Sequence, residues 1–515
     1  MKRLRLVGAA TAALLLVSTA ACGGGGASGS ATGNDTLTII STAPPRSLDP
    51  GAASVGGDNF FVNLAYDTLL RVDDKGAIQP DLATKWGFVG EGNKVFEMTI
   101  RSGVKFADGT DLTADAVAKS LDYIRTKGRH GQWMSSVTAI EATDAATVRI
   151  TMSAPNPVLP QLLSQIQMMG SVISAKGLAD PKQLGTQTFG AGPYVLDTAQ
   201  TASDDHYTFT ANPNYWDQSK VQWKKVVIKV VANPESALNT VTTGQADLLQ
   251  ISANQADSAK KAGLTIVQNP LQIIGVLLAD RDGKLAKPLA DVRVRQALNY
   301  AIDRDAITKA VFGDYAKPTD QMSLPGLDGF AQDYDQHYTY DVAKAKQLMA
   351  EAGYANGFSL KAEVTTLLSM DKAPMAVFEQ WKAIGVTVDV TTDTTSAGYS
   401  ANSSSTNFSA YGYLYGGLPT YLLALDWMLP EQTHFNPFGT SDEKLTGLLD
   451  KAAAASDADR PALYQDAMRY FVDQAWAVPV ARTDTLYGYN ADKIASVTVA
   501  GNYMPDLAWS VGPKK

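Results

Sequence analysis

Cysteine is almost absent from this chain of 515 residues, because Cys22 is the only one. A single thiol near the amino terminus excludes an internal disulfide, a zinc site built from cysteines and a cysteine nucleophile in the folded body. The body must therefore be stabilised by apolar packing and hydrogen bonds.

Long hydrophobic runs are also missing after residue 21. The one apolar run, residues 6–21, follows the basic residues Lys2, Arg3 and Arg5. A basic segment before a short apolar run is typical of a secretory signal, and this run is too short to span a bilayer. We predict a signal peptide at residues 1–21 and no membrane-crossing segment after it.

An excess of basic residues is lacking, since 44 Lys and Arg stand against 52 Asp and Glu, a net charge of −8 at pH 7. This balance argues against nucleic acid as a partner.

The histidines lack the paired spacing of zinc ligands; they are His130, His206, His337 and His434. No nucleophile elbow and no phosphate-binding loop occurs. We predict no metal, no cofactor and no enzymatic activity. A secreted hydrolase stays as a less favoured alternative, because paired carboxylates need only be close in space.

Cys22 follows the small residues Thr19, Ala20 and Ala21, and this pattern resembles the lipobox of bacterial lipoproteins. There the cysteine becomes the acylated first residue, although Thr19 stands where the commonest pattern has leucine. Residues 23–34 are small or polar and have nothing to bury, which favours a flexible linker. We predict a lipid anchor and linker at residues 22–35, outside the cytoplasm. An ordinary soluble secretory signal is the alternative.

Short strands and helices alternate along the body, which is typical of an α/β protein. Asp291 and Asp341 are good N-caps for helices over residues 292–302 and 342–352. A helix over 375–384 ends at Gly385 and leads into a strand at 386–390. Further helices fit residues 442–455 and 460–476. The predicted strands are residues 37–41, 94–101, 148–152, 226–231, 264–267 and 273–278.

Several blocks match one family in its own order. They are Ser-Leu-Asp-Pro at 47–50, Tyr-Asp-Thr-Leu-Leu-Arg at 66–71, Pro-Asp-Leu-Ala at 80–83, the segment 96–117, Gly-Ala-Gly-Pro-Tyr at 190–194, Asn-Pro-Asn-Tyr-Trp at 212–216 and the segment 292–304. The ordered set resembles the solute-binding lipoproteins of the dipeptide, oligopeptide and nickel class, which serve ABC importers.

The resemblance implies a periplasmic-binding-protein-like α/β fold, in which two lobes clamp the ligand and an extra domain stands beside them. Domain I would comprise residues 36–65, 187–272 and 490–515, domain II residues 66–186 and domain III residues 273–489. The ligand would lie between domains I and III and would be buried by hinge closure. The implied partners are a small solute and the permease subunits in the membrane, with the receptor itself a monomer.

A tyrosine row supplies the main candidate ligand site. Tyr411, Tyr413 and Tyr415 stand at period two and share one face of a strand. They form either an aromatic wall for the ligand or a row packed into the core. The neighbouring candidate ligand contacts are Leu414, Gly416, Gly417 and Trp427.

Gly416 occupies the place where peptide binders of the family hold the ligand's ammonium with an aspartate. Asp426 could replace that aspartate only if the loop folds back. Arg46 could bind a ligand carboxylate or simply be solvated. Phe60 and Phe61 are weaker candidates. The family favours a peptide or peptide-like ligand, whereas Gly416 and the tyrosines leave an oligosaccharide or another amphipathic solute open.

Overall fold

The structure is a computed structural model that describes residues 35–428, 435–500 and 504–514. Strands and helices alternate through this part of the chain. The strands are β1 Thr36–Ser41, β2 Leu70–Val72, β3 Ile78–Pro80, β4 Ala83–Phe88, β5 Val95–Ile100, β6 Val137–Ala142, β7 Thr147–Met152, β8 Tyr194–Leu196, β9 His206–Ala211, β10 Lys225–Val230, β11 Leu248–Ile251, β12 Thr265–Leu278, β13 Ala316–Pro318, β14 Phe358–Thr365, β15 Val386–Asp393, β16 Ala410–Gly416, β17 Ala477–Tyr489, β18 Ile494–Val497, β19 Val499–Ala500, β20 Met504–Pro505 and β21 Val511–Pro513.

The helices are distributed along the whole described chain. They are α1 Asn59–Ala65, α2 Ala114–Lys127, α3 Leu159–Leu162, α4 Ala175–Ala179, α5 Pro234–Thr242, α6 Ala256–Lys261, α7 Val292–Tyr300, α8 Arg304–Phe312, α9 Val342–Glu351, α10 Lys372–Trp381, α11 Ser396–Ser403, α12 Thr420–Trp427, α13 Glu443–Ala454 and α14 Arg460–Asp473. None of the helices in the described ranges is long and apolar enough to cross a membrane.

The main sheet has 11 strands in the order β15-β14-β16-β12-β17-β11-β1-β10-β9-β8, with β13 beside β17. Its middle is formed by two long antiparallel strands, β12 and β17, which we call the crossing strands. On one side of them lie strands from the predicted domain III, and on the other lie strands from the predicted domain I. The domain boundaries themselves stay a prediction.

The crossing strand β12 corrects one sequence prediction. Residues 264–267 and 273–278 were predicted as two strands, but Thr265–Leu278 is one strand of 14 residues. Pro270 lies between the two predicted segments and lacks an N–H for the strand ladder. The register instead shifts between Pro270 and Gln272, so a β-bulge absorbs the proline and pairing continues.

The N-caps that the sequence indicated are confirmed. The Asp291 carboxylate accepts a hydrogen bond from the Arg293 N–H, and the Asp341 carboxylate accepts one from Lys344. Gly385 has the left-handed conformation, with φ of 78°, that ends the preceding helical segment. The helix after Asp291 ends two residues earlier than predicted, at Tyr300, because Asp303 begins and caps the next helix.

A second, four-stranded sheet has the order β4-β5-β7-β6 and packs against α2. The predicted strand over residues 94–101 is confirmed by β5, whose Phe96, Met98 and Ile100 are buried on one face. This sheet lies within residues 66–186, the predicted domain II. Its apolar side joins the largest apolar cluster, which also contains the tyrosine row.

Candidate functional site

The carboxyl ends of parallel strands converge on the crossing strands from two directions. Strand β16 runs along β12 and ends with Gly416 opposite Gln272. Strand β11 pairs antiparallel with β17 and ends with Ile251 opposite Leu486. On the other side of β17, Leu486 pairs with Gln268 of β12. Both ends therefore meet beside the short segment from Gln268 to Gln272. The crevice outside strand carboxyl ends is where open α/β sheets bind ligands.

The ends of four more parallel strands lie on the same two sides of the crossing strands. Strands β14 and β15 run parallel to each other, and β14 runs parallel to β16. Strands β1 and β10 run parallel to each other and to β11 on the other side. The loop after β1 contains Arg46, and the loop after β16 contains Gly417. The sequence-predicted candidates thus lie on both sides of the crossing strands.

The tyrosine row is buried. Tyr411, Tyr413 and Tyr415 are each 6% exposed or less. The Tyr413 hydroxyl lies 2.9 Å from the Met322 sulfur, and its ring meets Trp427 edge-on at 4.9 Å. The predicted strand is confirmed, and its tyrosine face packs beneath α12. Contact of these rings with a ligand stays a prediction.

Trp427 is the aromatic centre of this cluster. It is fully buried, receives the edge of Tyr415 at 4.9 Å and stacks on Phe435 at 4.5 Å. Arg281 is absent from the sequence-predicted candidates, and it donates to the Trp427 carbonyl at 2.8 Å and the Phe435 carbonyl at 3.2 Å. Burial lowers the pKa of Arg281 to about 10. No motif surrounds this arginine, so the sequence carried no signal for it.

Asp426 reaches the end of the tyrosine row because α12 folds back across β16. Its carboxylate accepts hydrogen bonds from the Tyr415 hydroxyl at 3.1 Å and from the Trp133 indole N–H at 3.3 Å. Burial raises the pKa of Asp426 to about 6, and these two donors oppose the rise. Asp426 therefore links the tyrosine strand to the predicted domain II.

The strand end beside the crossing strands has little side-chain bulk. The Gly417 N–H donates to the Leu271 carbonyl at 2.6 Å, at the bulge of β12. A Cβ at Gly417 would lie 2.2 Å from the Cδ1 atom of Leu324, so the Leu324 side chain occupies the space beside this glycine. Leu414 is half-buried on the opposite face of the strand from the tyrosines.

Arg46 has an exposed side chain, and its backbone N–H donates to Asp58 at 3.0 Å. Asp58 also accepts from the Ser54 N–H at 2.7 Å, so this carboxylate holds the loop after β1 in shape. Burial raises the pKa of Asp58, and the neighbouring N–H groups and Arg46 oppose the rise. Cys22, the predicted lipidation site, lies outside the described residues.

The described residues contain no group of three or more His, Cys, Asp or Glu side chains placed to hold a metal ion. Three of the four histidines lie in the described ranges, and His130 stacks on Trp133 at 4.4 Å. Burial lowers the pKa of His130 to about 4, with Arg129 adding to the shift.

Comparisons with known proteins agree with this architecture. The model of the bacterial extracellular solute-binding proteins, family 5, matches residues 77–424. The glutathione-binding protein GsiB of Salmonella typhimurium is 30% identical over 356 residues, 67% of each chain. The structure of Helicobacter pylori DppA in complex with the peptide STSA superposes with a TM-score of 0.80 at 22% identity, over 93% of this chain and 98% of that one.

A dipeptide-binding protein from Pseudoalteromonas sp. SM9913, in complex with Met-Leu, superposes with a TM-score of 0.78 at 20% identity, over 93% of this chain and 100% of that one. These superpositions support the α/β binding-protein fold. The family match covers more than half of the sequence and includes the second sheet, one crossing strand and the tyrosine strand. The chain therefore belongs to the bacterial extracellular solute-binding proteins of family 5.

Proposed function

We propose that this protein captures peptides or peptide-like solutes outside the cell and delivers them to the permease subunits of an ABC importer. The observation that carries the proposal is the convergence of two sets of strand ends on one pair of crossing strands. Such a layout gives two surfaces that can close on a solute while the crossing strands bend between them. The ligand stabilises the closed state, and the permease responds to closure.

The ligand class follows from the relatives. GsiB is named for glutathione, and the two superposed proteins were solved with a tetrapeptide and with Met-Leu. All three ligands contain amide bonds, which favours a peptide over the oligosaccharide that the tyrosine row also suggested. An extended peptide can present its amides to a strand end that lacks side chains, as at Gly416 and Gly417.

The site in this proposal lies between the loop that holds Arg46 and the end of β16. Gly416 lets the ligand backbone approach closely, with Gly417 next to it and Leu414 beside it. Tyr411, Tyr413, Tyr415 and Trp427 form the aromatic wall behind that strand end. Arg46, whose side chain is exposed, would pair with a ligand carboxylate. Gly416 has no carboxylate, and the Asp426 carboxylate that folds back to this strand already accepts from Tyr415 and Trp133. The ligand's ammonium is therefore not essential for binding.

The setting of the receptor completes the proposal. Residues 1–21 direct export, Cys22 carries a lipid, and the linker up to residue 35 holds the body off the membrane. The receptor acts as a monomer of three domains with the boundaries predicted above, and it returns its ligand chemically unchanged. It uses no cofactor and binds no nucleic acid.

Titration calorimetry tests this function with the full chain in detergent. We expect heat of binding with tetra-alanine and none with cellotetraose. N-acetyl-tetra-alanine should bind with an affinity similar to that of the free peptide, because Gly416 supplies no partner for an ammonium. Binding of cellotetraose alone, or hydrolysis of either compound during incubation, would contradict the proposal. Loss of binding on N-acetylation would show that an ammonium site exists.

A further inference from the structure

Two polar side chains on the crossing strands lack hydrogen-bond partners. Asn269 of β12 and Thr485 of β17 are directly opposed in the antiparallel register. The Nδ2 atom of Asn269 and the Oγ1 atom of Thr485 are both buried, and neither has a partner. Thr485 as a whole is 4% exposed. The two residues are direct cross-strand neighbours, yet their side chains do not bond to each other.

Both side chains project to the face where the candidate site lies. Thr485 and Tyr487 are two residues apart on β17 and share a face. The Tyr487 ring meets Phe60 edge-on at 6.2 Å, and Phe60 opens the helix that follows the Arg46 loop. The pair therefore faces the loop after β1. Along the sheet, the pair of residues also lies between the ends of β11 and β16.

Unpaired buried polar groups destabilise a fold, and proteins rarely keep them without a use. Asn269 presents an N–H donor, while the Thr485 hydroxyl can accept as well as donate. This combination is complementary to a secondary amide, whose oxygen accepts and whose N–H donates. Each hydroxyl of a sugar can both donate and accept, so a sugar would not require a donor and an acceptor placed side by side.

We propose that Asn269 and Thr485 together bind one peptide bond of the ligand. The Asn269 side chain donates to the amide oxygen, and the amide N–H donates to the Thr485 hydroxyl. This inference rests on the peptide-binding function proposed above and adds the crossing strands to the site. The two residues belong to the strands that bend on closure. An amide bound to both of them therefore couples ligand binding to closure.

The test measures the affinity of the full chain for tetra-alanine and for analogues in which one amide N–H at a time is replaced by an ester oxygen. Loss of one such hydrogen bond weakens binding about tenfold. For the unsubstituted protein, we expect this tenfold loss of affinity with one of the ester analogues. Thr485→Val should bind tetra-alanine about tenfold more weakly and should show no further loss at that position. Asn269→Leu should weaken binding of every analogue.

Thr308→Val is the matched control. The Thr308 hydroxyl is also buried without a partner, but it lies on α8 rather than on a crossing strand. We expect unchanged affinity for this variant. Thr485→Ser, which keeps the hydroxyl, should bind like the unsubstituted protein and guards against misfolding of the valine variant. The melting temperature without ligand should not fall in Thr485→Val, because its hydroxyl has no partner to lose.

Equal affinity of the unsubstituted protein, Thr485→Val and Asn269→Leu for tetra-alanine would overturn this inference and leave the proposed function standing. An ordered water bridging the two side chains in the peptide complex would also overturn it. Failure of the unsubstituted protein to bind tetra-alanine, with binding of a solute that lacks amides, would overturn the proposed function and this inference together.

Discussion

Arg71 lies among three buried carboxylates, and its replacement by methionine gives the sharpest stability prediction. Its guanidinium bonds Asp506, lies 3.1 Å from Asp81 and 3.5 Å from Asp67, and stacks on Trp509 at 3.9 Å. The side chains of Asp67 and Asp81 are fully buried. Removing one partner of a buried ion pair typically costs about 3–5 kcal/mol, because the other charge stays buried. We expect Arg71→Met to lower the free energy of unfolding by about that amount at pH 8.

The loss should depend on pH in a defined direction. Burial raises the pKa of Asp81 to about 6, and burial also raises the pKa of Asp67, while Arg71 opposes both rises. A carboxyl whose pKa is higher in the folded than in the unfolded state contributes less stability as the pH rises through that interval. Without Arg71 these pKa values rise further. At pH 5 the carboxyls are mostly protonated, so the variant should lose clearly less stability than at pH 8.

Urea unfolding at pH 5 and pH 8, followed by tryptophan fluorescence, measures both values. Arg149→Met is the control, because Arg149 makes an ion pair with Glu97 at 2.6 Å in which both side chains are partly exposed. Such pairs contribute about 0–1 kcal/mol, so we expect little change. An Arg71→Met loss no larger than the control's, or an equal loss at both pH values, would refute the reasoning.

Further outcomes are expected for four substitutions. Burial raises the pKa of Asp426 to about 6, so the contribution of Asp426 to stability falls as the pH rises from about 4 to 6. Asp426→Asn should reduce this dependence of the melting temperature on pH. An unchanged pH dependence would contradict the burial of Asp426. Gly357→Ala should destabilise the fold by about 2–4 kcal/mol, since its Cβ would lie 1.8 Å from the Gly385 oxygen. Gly353→Ala shares a positive φ but meets no atom within 4 Å, so it should cost only about 1–2 kcal/mol in the same urea titration. Thr113→Ala removes the N-cap of α2 and should cost about 1 kcal/mol, with helical circular dichroism otherwise retained.

Local elements could be predicted because their signals lie within a few residues. Asp291 and Asp341 cap helices, Gly385 ends one, and the alternation at Phe96, Met98 and Ile100 places β5. The bulge at Pro270 was missed because continuation of a strand past a proline depends on its partner strand. The family blocks identified the fold, since they mark scaffold positions. Asp67, Arg71 and Asp81 show this, because blocks separated in sequence meet in one ion cluster.

The candidate site was only partly accessible from sequence. The period of the tyrosines predicted their strand and shared face, but not the cover that α12 places over them. Asp426 reaches Tyr415 through the path of a helix, which no spacing rule indicates. Asn269 and Thr485 are 216 positions apart in the chain, and their pairing follows only from the register of the crossing strands. Sites assembled from distant segments require the fold to be known first.

A crystal structure of the full chain with tetra-alanine tests the central claim most directly. We expect an intact peptide against β12 and β17, between the Gly416 end of β16 and the loop that holds Arg46, with one amide on Asn269 and Thr485. A peptide bound on an outer surface of the protein, or a crossing-strand region that stays closed to the ligand while binding is measured in solution, would contradict the account.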